Sequence, residues 1–179
     1  MPLPSTMTPI ATSTLTAAGA TVTFSSVPQT YTDLVLVVSV KTTSGAYPIL
    51  KMQFNGDTAT NYSYTNLIGS ATSTVASARS SNIAQMYPGP GIVTAIPDTA
   101  NTFATGLINI MNYSNSTTYK TVLSRDAVPT NSTGGTGQVG AYVNLWRSTA
   151  AVTSITVTTN NGSNYDVGSS FTLYGIKAA

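Results

Sequence analysis

Any acid–base or metal chemistry on this chain falls to aspartate. The 179 residues contain no His and no Cys, and the five acidic residues are all aspartates: Asp33, Asp57, Asp98, Asp126 and Asp166. The usual general bases, nucleophile activators and soft metal ligands are therefore missing before geometry is considered. Two carboxyl groups held across a sugar would suit glycoside hydrolysis, but these five stand apart with no paired spacing. Asn55-Gly56-Asp57 and Asn164-Tyr165-Asp166 offer oxygen ligands in turns, without the alternating carboxylates of a calcium loop. Each aspartate stands near a predicted turn or strand end, where its side chain commonly bonds nearby backbone. The pattern predicts a chain with no catalytic residues and no cofactor or bound metal.

Ring and cation chemistry is the remaining possibility. Ten Tyr and one Trp could stack on sugars, with Asn and Asp alongside for the hydroxyl groups. Trp146 ends an alternating segment and precedes Arg147, so core or subunit interface is its first reading and ligand contact its second. Arg125 and Arg147 read as partners in rim or interface ion pairs. A net charge of +2 from scattered cations does not make the basic stripe that counterion release from nucleic acid requires. Asn-X-Ser/Thr sequons begin at Asn61, Asn112, Asn115, Asn131 and Asn161. They matter only in a secretory pathway, and a chain so full of Asn, Ser and Thr contains them by coincidence.

The elements that must position these residues are short strands. Charged residues make up only 7%, against about 25% in an average soluble domain, so Ser and Thr must form much of the surface. Thr, Val, Ile and Tyr suit a pleated, half-buried surface. Residues 1–20 carry Pro2, Pro4 and Pro9, which cannot donate regularly to a ladder, and they are expected to form an extended N-terminal arm. One β-sandwich domain is expected over residues 21–179. Val22 and Phe24 alternate with polar neighbours, Leu34 to Val40 is a continuous apolar run, and Leu50, Met52 and Phe54 alternate again. Further strands are expected over 61–68, 103–113, 119–126, 139–146, 152–159 and 170–176, with a long irregular loop near 69–100. Many short strands without helical punctuation select antiparallel sheets, a jelly-roll-like sandwich before an immunoglobulin-like one, which closes with about 100 residues. No segment approaches the roughly 20 apolar residues of a membrane span, and the N-terminus lacks a basic region followed by an apolar run, so neither insertion nor signal-directed secretion is expected.

Three segments carry a resemblance. They are Leu145 to Lys177 (LWRSTAAVTSITVTTNNGSNYDVGSSFTLYGIK), residues 27–40 (VPQTYTDLVLVVSV) and residues 54–69 (FNGDTATNYSYTNLIG). Together they resemble virion structural proteins of tailed phages, especially cyanophages and other aquatic phages. The resemblance implies a β-sandwich that coats or joins larger assemblies: a capsid decoration or cement protein bound to the major capsid protein, often as a homotrimer. It also admits a tail-fibre or baseplate module that holds host surface glycans. It carries no catalytic residue. Apolar side chains in irregular segments are the candidate contacts under this reading: Leu3, Met7 and Ile10 in the arm, Tyr87, Ile92 and Ile96 in the long loop, with Trp146 and Arg147 added from the closing third.

Overall fold

The computed structural model describes residues 6–43, 48–70, 73–89, 102–129 and 137–177. Every regular element among them is a strand. In chain order these are β1 (Met7–Thr14), β2 (Thr21–Phe24), β3 (Asp33–Val40), β4 (Leu50–Phe54), β5 (Tyr62–Ser70), β6 (Ser73–Ile83), β7 (Ala104–Ile110), β8 (Lys120–Val128), β9 (Gln138–Trp146), β10 (Ile155–Thr159) and β11 (Ser170–Ile176). They form two wholly antiparallel sheets, ordered β1-β11-β3-β7-β8-β9-β5-β6 and β2-β10-β4, so the molecule is an all-β sandwich.

The winding is interleaved. Strands β1 to β4 alternate between the two sheets, β11 inserts between β1 and β3, and β10 inserts between β2 and β4, which is the order of a jelly roll. The position beside β4 in the small sheet is held by the Met52–Met86 bridge alone, in which each backbone N–H donates to the other's carbonyl at 3.0 Å. Strands β8, β9, β5 and β6 then continue the large sheet beyond β7. Eight strands face three, so part of the large sheet has no opposing sheet to pack against.

The core lies where the sheets do overlap. Leu34, Leu36, Val38 and Val40 of β3, Ile108 and Ile110 of β7, and Phe171 and Leu173 of β11 pack against Val22, Phe24, Met52, Phe54, Ile155 and Val157 of the small sheet. A fully buried Leu, Ile, Val or Phe contributes about 1.5–3 kcal/mol relative to exposure, which offsets ordering a chain that has no disulfide. Turn chemistry closes the strands. After β4, Asn55 and Gly56 take positive φ values of 53° and 66°, and the Asp57 N–H donates to the Phe54 carbonyl at 2.9 Å. Two consecutive left-handed residues are what Asn-Gly supplies at low cost.

Two readings of the sequence are corrected. Residues 7–14 do not form a free arm: β1 pairs with β11 from Met7↔Ile176 to Thr14↔Ser170. Pro9 is accommodated because β1 is an edge strand and the register shifts between Pro9 and Ala11, where no ladder donor is needed. The irregular loop expected near 69–100 contains β6, an eleven-residue strand paired with β5. The turn between β5 and β6 and residues 90–101 lie outside the described residues.

Candidate functional site

The aspartates turn out to be fastened to their own chain. Asp57 accepts the Ala59 N–H at 2.9 Å, the Asn61 side-chain amide at 3.0 Å and the Trp146 indole N–H at 2.7 Å. Burial alone would raise its pKa, but the hydrogen bonds from Asn61, Trp146 and Ala59 outweigh that and hold the carboxyl below its ordinary value. Asn55, in the same turn, accepts from the Thr153 and Ser154 N–H groups and donates to the Ala151 carbonyl. This turn is a clamp that staples the β4 end to residues 151–154. Asp166 accepts the Val167 N–H and lies 3.8 Å from Lys41, and Asp33 accepts the Asn112 N–H. Asp126 is buried, and Asp98 lies outside the described residues. Among the described residues no group of three or more His, Cys, Asp or Glu side chains could hold a metal ion.

The predicted contact residues do not converge. Leu3, Ile92 and Ile96 lie outside the described residues. Met7 is exposed at the start of β1, whereas Ile10 is half-buried and packs on the core. Tyr87 is half-buried, with its backbone N–H donating to Asn144 Oδ1 and its ring edge-on to Tyr64 at 5.5 Å. Trp146 is 2% exposed, edge-on to Phe54 at 5.5 Å and stacked on Tyr62 at 6.3 Å. Of the readings of Trp146, core holds, and interface and sugar-stacking are corrected: the ring is buried because the register aligns it with Tyr62 of β5 and Lys120 of β8. Arg147 is exposed but donates to the Thr60 carbonyl at 2.7 Å and Asn82 Oδ1 at 2.6 Å.

What the fold brings together instead is one face of the sheet extension. Alternation along β8 and β9 sends Lys120, Ser124, Asp126, Gln138 and Asn144 inward, where all five are buried. Residues 84–89 cover this inner row: Gly89 sits where a Cβ would press on the Tyr142 ring and Asp126, and its φ of 70° suits glycine. The opposite row faces outward. Leu123, Val143 and Thr65 stand in register across β8, β9 and β5, as do Arg125, Ala141 and Leu67. Four of the eight large apolar side chains left exposed among the described residues lie on this face: Leu67 at 54%, Leu123 at 46%, Val139 at 63% and Val143 at 42%. One shallow groove is lined by Leu67, Leu123 and Val143, and a separate one by Arg125, Leu107 and Val37.

This extension departs from an ordinary exposed sheet, which keeps polar side chains in water: its inner row buries these polar groups beside Val122, Val128, Tyr142 and Trp146, while its outer row leaves large apolar groups uncovered. No protein-family model, curated protein or solved structure matches the chain. Residue reasoning overlooked this surface, although a signal is present: along β9 the row Val139, Ala141, Val143 and Leu145 is more uniformly apolar than the alternate row Gln138, Gly140, Tyr142, Asn144 and Trp146.

Proposed function

We propose that this chain is a non-enzymatic virion structural protein, specifically a capsid decoration or cement protein that binds the major capsid protein and stabilises the lattice. The observation that carries this reading is the outward-facing apolar row of the sheet extension, Leu67, Leu123, Val139 and Val143, on a molecule whose described carboxylates are all engaged in its own fold or buried within it. Contiguous exposed apolar area marks a contact surface. The resemblance of residues 27–40, 54–69 and 145–177 to tailed-phage virion proteins supports the same class.

Magnitudes fit a part that works in many copies. Fully burying a Val or Leu contributes about 1.5–3 kcal/mol. These four are roughly half-exposed, so covering them adds about 1 kcal/mol each, about 4 kcal/mol together. Association costs about 4–15 kcal/mol in lost freedom. One patch alone is thus near break-even, and tight attachment requires further contacts or several linked copies. The deciding experiment is cryo-electron microscopy of purified particles with the mass of the isolated protein in solution. Density for this fold on the capsid lattice supports decoration; density at the tail tip, or none, overturns it.

A further inference from the structure

We propose that the outer face of β8, β9, β5 and β6 docks a partner protein whose surface is apolar at its centre and carries two carboxylates, one for Arg125 and one for Arg79. This rests on the structural-protein reading and adds to it the surface used and the chemistry of the partner.

The arginines bracket the apolar row. Arg125 lies on β8 opposite Ala141, and Arg79 lies on β6 opposite Thr65, with β9 and β5 between them. Three strand spacings of about 4.8 Å set the backbones of the two residues about 15 Å apart. Among the described residues neither arginine side chain has an ion pair or hydrogen bond, and the one ion pair there is Lys41–Asp166. The outward positions of these four strands hold no carboxylate. Two unpaired guanidinium groups flanking a desolvating patch are completed by carboxylates, which they can grip with two parallel hydrogen bonds.

The described residues of a second copy of this chain fit this face badly. Asp126 is buried, Asp57 is held by three donors, Asp166 faces Lys41, and Asp33 accepts the Asn112 amide. Face-to-face stacking about a twofold axis that runs along or across the strands would instead bring the arginines of the two copies near each other. Self-pairing through the open edge of β6 fares no better, because Arg79 lies near the middle of that eleven-residue strand and the axis would bring both copies of it together. The charge pattern thus selects a different, acid-bearing partner.

Hydroxyl-radical footprinting of the chain in purified particles, compared with the isolated protein, tests the surface. Labelling of Leu67, Leu123 and Val143 is expected to fall several-fold in the particle while the exposed Val167, in the turn before β11, is unchanged. Rebinding to particles from which the chain has been dissociated tests the chemistry: Arg79→Glu with Arg125→Glu should bind at least tenfold more weakly, with mass and unfolding transition unchanged, and Arg79→Lys with Arg125→Lys, which keeps the charge but loses the paired hydrogen bonds, should bind between that variant and the parent chain. Equal labelling of the three residues with the chain present in particles, or full affinity of the double Glu variant, overturns this inference alone. An isolated protein of twice the chain mass with the face already protected overturns it in favour of self-association. Absence of the chain from particles overturns the structural-protein reading itself.

Discussion

Replacing Asp57 by alanine should loosen the corner where the two sheets meet, and the cost can be worked from its partners. The substitution leaves the Trp146 indole N–H without its acceptor inside a pocket where the ring is 2% exposed. It also removes the acceptor for the Asn61 amide and the Ala59 N–H. A hydrogen bond to a charged group contributes about 1.5–3 kcal/mol, and an unpaired buried donor costs about 1–3 kcal/mol. The carboxylate itself is only partly buried, and Asn61 and Ala59 can turn to water, so the net loss should be about 2 kcal/mol. For a domain of this size that lowers Tm by about 4–8 °C. Trp146 is the sole tryptophan, so its fluorescence during urea or thermal unfolding reads the transition at this corner. The pH dependence gives a second readout. The Asp57 pKa is depressed below 3.8 in the fold, so its contribution is fully present above the unfolded value and is lost as pH falls through the folded value. Asp57→Asn should therefore show a shallower loss of stability below about pH 4 than the parent chain. A Tm change under about 1 °C for Asp57→Ala, with an unaltered acid limb, would refute the clamp.

Tyr165 is buried and donates to the Thr158 carbonyl at 2.7 Å, with burial pushing its phenol above its ordinary pKa; Tyr165→Phe should cost about 1 kcal/mol by urea unfolding. Gly175 lies beneath the Tyr31 ring, which a Cβ would strike, so Gly175→Ala should cost about 1–3 kcal/mol, measured in the same way. Lys120 is fully buried, donates to the Thr118 and Thr149 carbonyls, and has its pKa lowered by burial. Between its folded and unfolded values the unfolded chain binds the extra proton, so stability should rise with pH as 10.5 is approached, and Lys120→Met should abolish that rise.

The sequence by itself determined the class of fold and the identity of the central strands. Val22 and Phe24, the run Leu34 to Val40, and Leu50, Met52 and Phe54 carry apolar spacing that a pleated strand buries on one or both faces, and they are core here. It also excluded His and Cys chemistry through composition. It did not mark β1, because prolines forbid a central strand but tolerate an edge with a shifted register. Nor did it mark β6, whose Val75 to Arg79 are exposed in unbroken succession; a strand uncovered on both faces has no alternation to read. Covering was decided only in three dimensions. Leu123 and Val122 are equally apolar in the chain, yet Val122 is buried and Leu123 is 46% exposed. Period two assigns neighbouring residues to opposite faces, but which face meets another layer depends on a small sheet of three strands set against one of eight, and on residues 84–89 crossing one side of the extension and leaving the other open.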